Sequence, residues 1–355
     1  MLKVQEWLNK TGGDFVKLEE QLGIRAQFND TDDRVILNYS QIDSPKTNPI
    51  VMECRALTLN KNDYSLISRS MGRFFNAGEA PQINNNFNFN AFVTHDKEDG
   101  SLIKVYYYRN KWIVETRGSF AQGTPSELCP HTWEDLVWQT LPDDFINKAS
   151  KITVYVFELC TNWNRVVRQY DEPSIFLLTE FIGEEEVNHD IVATDANFLG
   201  LKIPNIHQFN NLTDAQLHLT KIAENDPTYE GVVLRDCSNL RIKVKSPKWF
   251  ALARLKEGAL TYKNLIPIVL DGEYEEVLLY FPELKDKIFE VKGEIEKVRE
   301  EVGNYWFAFG EEKNRKKFAM AVKPCRYNAV LFRAWVDGTH PFDYLTSDFL
   351  VKAFK

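Results

Sequence analysis

The 355-residue chain is 44% apolar and carries a formal net charge of −8. Its length suggests two domains, since single cores rarely grow past about 250 to 300 residues, and it contains no apolar run approaching the roughly 20 residues that a bilayer crossing needs. The five cysteines (Cys54, Cys129, Cys160, Cys237, Cys325) are scattered, and the first ten residues lack the pattern of a secretory leader; free thiols in a reducing cytoplasm, with no disulfide framework, zinc site or membrane, are expected.

In chain order, residues 51–59 (VMECRALTL) read as a strand. An asparagine-rich patch over 84–90 reads as a loop, although alternating Phe87 and Phe89 would also suit the edge of a short strand. Residues 101–108 and 111–116 are β-rich runs separated by Arg109-Asn110, which predicts a hairpin. A helix is expected over 127–148. Strands are expected over 151–160, 174–182, 231–234 and 240–244. After about residue 250 the pattern turns helical, with helices expected over 249–256, 262–270, 284–302 and 313–322. Within 284–302, Ile288, Val291, Ile295 and Val298 recur at three- and four-residue spacing between charges, the mark of an amphipathic helix. The fold class is therefore α+β: an antiparallel-sheet domain over 1–250, then an all-helical domain over 251–355.

The sharpest local signal is Lys97-Glu98-Asp99-Gly100 at the mouth of the hairpin. A lysine amine attacks only when neutral, so a nucleophilic Lys97 calls for desolvation or neighbouring cations that depress its pKa. Gly100 would let the backbone turn tightly and bring the amine to a phosphate. A single Lys-x-Asp-Gly is more often a solvated turn. Further motifs follow it in order, however: Phe157-Glu158 ending a strand, Glu230-Gly231-Val232-Val233 heading another, and Arg241, Lys243 and Lys245 sharing one strand face. Each alone reads as an amphipathic strand with a solvated face. Together they suit a cleft lined for a triphosphate. The net negative charge does not oppose this, because screening confines charge effects to about 8 to 10 Å.

This series resembles the covalent nucleotidyltransferase superfamily of ligases and capping enzymes. Glu53-Cys54-Arg55, Arg73-Phe74-Phe75-Asn76 and Arg117-Gly118 narrow the resemblance to the phage RNA ligase 1 family of tRNA-repair ligases, over residues about 50 to 250. That resemblance implies an adenylyltransferase domain whose Lys97 carries AMP, with ATP and Mg2+ as cofactors (Mn2+ substituting). Arg55, Arg73, Arg117, Lys243 and Lys245 would contact nucleotide phosphates, Glu158 the ribose hydroxyls, and Phe75 the nucleotide or its local packing. Glu230 would help hold the metal. The family has lysines at the positions of Arg73 and Arg117, a change that keeps charge but replaces a point donor with a planar fork. Phe181 and Phe176 are candidates to stack on adenine.

The activity implied is joining of a 5′-phosphate RNA end to a 3′-hydroxyl end through lysyl-AMP and adenylated RNA, in repair of nicked tRNA. The enzyme would work as a monomer in the cytoplasm, the host's if the gene is a phage's. The helical domain would confer RNA specificity. His95, Trp163 and Trp249 read as structural, while Arg315, Lys316 and Lys317, downstream of Tyr305, Trp306 and Phe307, suit either RNA binding or an exposed helix end. A DNA ligase or capping enzyme would follow Lys245 with a small β-barrel, whereas this chain turns helical. A non-catalytic RNA-binding relative would have lost Lys97 or Glu230.

Overall fold

A computed structural model of the protein describes residues 1–40, 44–246, 248–249, 252–253, 261–270, 274, 278 and 282–354. The chain divides into two compact units, Met1–Phe250 and Ala251–Lys355.

The first unit opens with α1 (Lys3–Thr11) and α2 (Phe15–Leu22), followed by β1 (Ile24–Phe28) and β2 (Arg34–Tyr39). Next come α3 (Pro49–Glu53), β3 (Leu57–Asn60) and β4 (Leu66–Ser68). These strands form an antiparallel sheet in the order β1-β2-β3-β4, and Leu8 and Leu18 of the helices bury against Ile24, Val35, Leu37 and Leu59. The strand expected over 51–59 begins only at Leu57. The Asn48 side chain accepts the Ile50 N–H and Pro49 supplies the fixed φ that suits a first helical turn, so a short helix wins over the β preference of Val51. Arg55 consequently lies in a link between helix and strand.

After β5 (Phe75–Asn76) and α4 (Pro81–Asn84), the asparagine-rich stretch is a loop. Its Phe87 and Phe89 rings meet each other at 4.7 Å and both meet Phe92, an aromatic knot in place of a strand edge. Then β6 (Phe92–Asp96) leads into the expected hairpin, β7 (Ser101–Tyr108) and β8 (Lys111–Thr116). Its two-residue turn has φ of 47° at Arg109 and 63° at Asn110, the turn whose twist matches paired strands.

The helix expected over 127–148 is broken into α5 (Trp133–Thr140) and α6 (Phe145–Lys148). Thr132 and Asp135 form a reciprocal cap at its start, and Leu141, extended ahead of Pro142, ends it because a residue before proline avoids the helical region. The remainder is β9 (Thr153–Cys160), β10 (Ser174–Ile182), β11 (Glu185–Glu186), α7 (His189–Leu199), β12 (Ile206–His207), α8 (Leu212–Asn225), β13 (Gly231–Asp236) and β14 (Arg241–Lys245). Two further sheets result, β11-β10-β9-β7-β8 and β12-β6-β13-β14-β5, antiparallel except where β14 and β5 run parallel. The antiparallel-sheet expectation for this unit therefore holds with one parallel pair.

The second unit is helical in its described residues: α9 (Tyr262–Leu270), α10 (Lys285–Phe309), α11 (Arg315–Val322), α12 (Asn328–Asp337) and α13 (Ser347–Ala353). The expected stripe of α10 is buried at Ile288, Val291, Ile295 and Val298. The helix expected over 249–256 lies largely outside the described residues. No described helix is long and apolar enough to cross a membrane.

Between the first and second sheets lies a fully buried ionic cluster. Glu115 of β8 accepts from the Arg34 guanidinium at 3.0 Å, the Tyr106 hydroxyl at 2.6 Å and the Thr58 hydroxyl at 2.7 Å, and meets the Lys104 ammonium at 3.0 Å. Lys104 also donates to Thr58 and Ser68, so each charge is paired and hydrogen-bonded. Removing one member strands the others in the interior. Glu115→Ala should cost about 3 to 5 kcal/mol of unfolding free energy. Urea denaturation followed by tryptophan fluorescence checks it.

Candidate active site

Lys97 directly follows β6, and its backbone N–H donates to the Gly231 carbonyl at 2.8 Å. Its ammonium lies 2.7 Å from Glu230 Oε2, while the Lys245 ammonium lies 2.9 Å from Glu230 Oε1. Glu230 is 3% exposed, so one desolvated carboxylate bridges two lysines. Burial alone would push the Lys97 amine down, but the Glu230 and Glu158 carboxylates outweigh it and hold the amine above its ordinary value. This differs from the depressed pKa expected from the sequence. The amine is stored as an ion-paired ammonium.

Carboxylates crowd the same place. Burial, opposed by Lys97 and reinforced by Glu230, pushes Glu158 up to about 7. Asp99 is raised by burial and then by Glu230. Its carboxylate does not enter the cavity; it accepts the backbone N–H groups of Val167 at 2.8 Å and Arg168 at 2.7 Å, tying the loop after β9 to the lysine's turn. Gly100 also has another role than expected. A Cβ there would lie 2.3 Å from the Leu159 carbonyl, so glycine permits close approach to β9.

A cavity of about 220 Å³ is lined by Lys97, Glu158, Arg55 and Arg117 among others. Lys243 and Lys245 line a separate, more open groove of about 310 Å³ with Asn76 and Ser246. Arg73, Phe75 and Glu230 are buried at 6%, 1% and 3% exposure and line neither space. The Tyr39 ring carries Arg73 at 4.3 Å and Arg117 at 4.8 Å, holding two like charges close. One nitrogen of Arg73 and one of Arg55 are buried without a hydrogen-bond partner. Such atoms suit an arriving anion.

Phe75 packs in β5 beside β14, and it is Phe74 that lines the cavity, with Arg55 at 5.0 Å and Lys243 at 5.5 Å from its ring. Neither adenine-stacking candidate is there: Phe181 is buried in the core between the first two sheets, and Leu178 of β10 lines the cavity instead. The β-bulge between Leu177 and Thr179 re-aims this strand, which the sequence pattern could not reveal. Val233, Arg235 and Arg241 also line the cavity; Val233 belongs to the Glu230 motif and Arg241 to the alternation with Lys243 and Lys245, while Arg235 carried no sequence signal. His95 lines it too, with burial and then His189 pushing its imidazole down to about 4. Trp249 is buried under the Lys245 ammonium at 4.1 Å, while Trp163 is 40% exposed.

Residues 53–259 match the profile of the RNA ligase family, more than half of the chain. The chain belongs to the RNA ligase family. This family member is 30% identical over 283 residues to a bifunctional polynucleotide kinase/RNA ligase, so named, of Autographa californica nuclear polyhedrosis virus. The match covers 72% of the chain but 38% of that relative, so the chain spans well under half of it. An RNA ligase of Rhodothermus phage RM378 is 22% identical over 302 residues, 68% of each chain. By fold, the RNA ligase family member is similar to an ATP-dependent DNA ligase from Aquifex aeolicus (TM-score 0.52, 12% identity, 84% and 80% covered). It is also similar to an archaeal ATP-dependent RNA ligase (TM-score 0.51, 14% identity, 81% and 79% covered). The fold is that of nucleotidyltransferase-type ligases.

Among the described residues, no three His, Cys, Asp or Glu side chains are arranged to hold a metal by themselves. The mutual repulsion of Glu158, Glu230 and Asp99 nevertheless fits a hard cation. Magnesium is commonly held by one or two carboxylates together with substrate phosphates, but both Glu230 oxygens are engaged here by the Lys97 and Lys245 ammonium groups.

Burial, then Lys245, Lys97 and Arg55, push the Lys243 amine down to about 8. Its charge is present below that pH and lost as pH rises through it. Pyrophosphate affinity should therefore weaken severalfold from pH 7 to pH 9, and Lys243→Arg should flatten the dependence. Titration calorimetry with inorganic pyrophosphate reads both.

Proposed function

We propose that this chain is an ATP-dependent RNA ligase that joins a 5′-phosphate RNA end to a 3′-hydroxyl end. The observation that carries the reading is one primary amine, Lys97, sharing a cavity with the Glu158 carboxylate and the cations Arg55 and Arg117.

In the first step the Lys97 ammonium releases a proton to solvent as it parts from Glu230, and the neutral amine attacks the α-phosphorus of ATP. A P–N bond forms, the bond to the pyrophosphate oxygen breaks, and the amine loses a proton. Glu230 orients the amine beforehand through its 2.7 Å contact. Arg55 and Arg117 bind the phosphate oxygens within the cavity, and Lys243 and Lys245 receive the departing pyrophosphate in the adjoining groove. Arg73, buried against Tyr39 and outside both spaces, adds positive charge behind the phosphate site. The Glu158 carboxylate accepts from ribose hydroxyls, while Phe74, Leu178 and Val233 supply apolar surface to the nucleoside. Phe75 supports Arg73 from the core. Once Lys97 turns away to attack, Glu230 would have an oxygen to offer a magnesium ion, which when bound would neutralise charge at the transferring group. In the second step an RNA 5′-phosphate oxygen attacks the lysyl-AMP phosphorus and the P–N bond breaks, freeing Lys97. In the third, an RNA 3′-hydroxyl attacks the adenylated 5′-phosphate and AMP leaves. Each step is displacement at phosphorus, so one cation-lined site serves all three.

Repair of a nicked tRNA, by a monomer in the cytoplasm, is the finer reading. RNA loops are recognised by shape, stacking and 2′-hydroxyl contacts, which need more surface than a nucleotide cavity offers. The helical unit supports this by what it exposes: Arg315, Lys316 and Lys317 form the solvent-facing first turn of α11, where the helix dipole disfavours cations. Phe307 is 94% exposed, whereas Trp306 meets Phe318 edge-on within the unit's own core.

Lys97→Ala should abolish the protein–AMP adduct in intact-protein mass spectrometry after ATP and magnesium; an adduct on the variant would refute the nucleophile. Glu230→Ala should lower the rate by about 10² to 10⁴. Pre-adenylated RNA should partly rescue Lys97→Ala and leave Glu230→Ala slow. Neutralising Arg315, Lys316 and Lys317 together should reduce sealing of a cleaved anticodon stem-loop more than sealing of an unstructured RNA. The same variant should flatten the salt dependence of RNA binding, because fewer counterions are released. Equal losses on both RNAs with an unchanged slope would make the helical unit a brace.

A further inference from the structure

Lys97 and Glu230 meet across the ends of two strands, and the residue before each makes a second connection that the proposed chemistry does not use. Asp96 immediately precedes Lys97 and Tyr229 immediately precedes Glu230. The Tyr229 hydroxyl donates to Asp96 Oδ1. His207 Nε2 lies 2.6 Å from the same oxygen, and the Asn205 amide donates to Oδ2 at 2.8 Å. Because a carboxylate only accepts, the His207 nitrogen facing it is the protonated one. Asp96 is 8% exposed and Tyr229 5%, so this junction is shielded from water.

The backbone is fixed at the same point. Val232 of β13 pairs with Asp96 of β6, and Asp96 N–H donates to the Asn205 carbonyl at 2.8 Å. Gly231, at φ of 148°, separates the paired strand from Glu230, and its missing side chain lets the Val244 carbonyl come within 2.1 Å of where a Cβ would stand. Gly231 is itself paired with Lys245, and the Glu230 carbonyl beyond it accepts the Ser246 N–H at 2.8 Å. The β14 side of Glu230 is thus fixed, and the aim of its carboxylate depends next on a constraint at the residue before it. Tyr229 supplies it.

The Lys97–Glu230 contact cannot be that constraint throughout, because the amine must leave the carboxylate to attack and then carries an adenylyl group, with only the Lys245 ammonium left on the Glu230 side chain at 2.9 Å. The Asp96–Tyr229 bond involves no reacting atom and persists. We propose that Asp96 and Tyr229 are positioning residues, a buried brace that holds the Lys97 and Glu230 strand ends at attacking distance while their own contact is broken. His207 and Asn205 orient the Asp96 carboxylate for it.

The inference rests on the ligase reading for its catalytic consequence, so the test has two arms. In the full chain, Tyr229→Phe removes one oxygen. Rapid-quench measurement at saturating ATP should give lysyl-AMP formation slower by about tenfold to a hundredfold, the scale of a small misplacement of reacting groups. ATP affinity should stay within about twofold and thermal stability close to the parent. Asp96→Asn, which keeps shape and loses charge, should fall in the same direction and serves if the phenylalanine variant does not fold. The second arm needs no ligation: acylation of Lys97 by an amine-reactive ester, read by peptide mass spectrometry, should be severalfold faster in Tyr229→Phe because the Glu230 contact loosens. A parent protein that makes no adduct refutes the ligase reading and leaves the second arm to decide the brace. Unchanged Lys97 acylation, or a rate loss matched by lost ATP affinity and lost stability, overturns the brace itself.

Discussion

The buried Glu230 carboxylate is the constraint on which the candidate site depends. A carboxylate removed from water needs full compensation, and here two ammonium groups provide it from different strand ends. That requirement draws Lys97 at the end of β6 and Lys245 at the end of β14 to one point. It also sets the local backbone. Gly231 has no side chain because β14 must come close, and Gly100 has none because β9 must. The glycines of both motifs are thus packing residues first, and the geometry of the charges follows from how closely three strands can approach.

Around this centre several cations are also packed against aromatic rings. Arg73 and Arg117 both lie against the Tyr39 ring, and Arg55 and Lys243 both lie against that of Phe74. An aromatic face offsets part of the repulsion between neighbouring cations without cancelling their charge. The residual strain is visible in Lys243, whose amine is pushed toward neutrality by burial and by its cationic neighbours. An arriving polyanion relieves that repulsion, so the donors are set before the ligand comes and need little rearrangement afterwards. The arginine substitutions for lysine noted in the sequence fit this arrangement, since a guanidinium stacks on a ring where a compact ammonium does less.

Much of this was legible in the sequence because the motifs sit on regular strands. The hairpin at 101–116 and the strand at 174–182 follow directly from β-rich runs and their turns, and the alternation of Arg241, Lys243 and Lys245 puts them on one face. What could not be read depends on single capping or breaking residues and on tertiary contacts. Asn48 and Pro49 convert the start of a β-prone run into helix, and Pro142 splits a helix in two. Helices α7 and α8 begin at Asn188 and Asn211 caps that the β-oriented reading passed over. In the cavity, Phe74 rather than Phe75 and Leu178 rather than Phe176 or Phe181 face inward, because a bulge and a two-residue strand break simple alternation. Asp96 and Tyr229 carried no signal of their own; each was hidden by the motif residue beside it.

The contrast between the two turns that flank β7 has a practical side. The turn from β6 to β7 is wedged against Leu159 at Gly100 and bound to the following loop through Asp99, so it tolerates neither an added residue nor a bulky one. The turn from β7 to β8 is a solvent-facing pair, Arg109 and Asn110, whose left-handed backbone reverses the chain while the Arg109 guanidinium pairs with Asp33 at 2.6 Å. Exposed tips of this kind accept insertions and chemical handles far better than buried turns do. A fluorophore or affinity peptide grafted at the second tip would report on this unit at the other end of β7 from the nucleophile's turn.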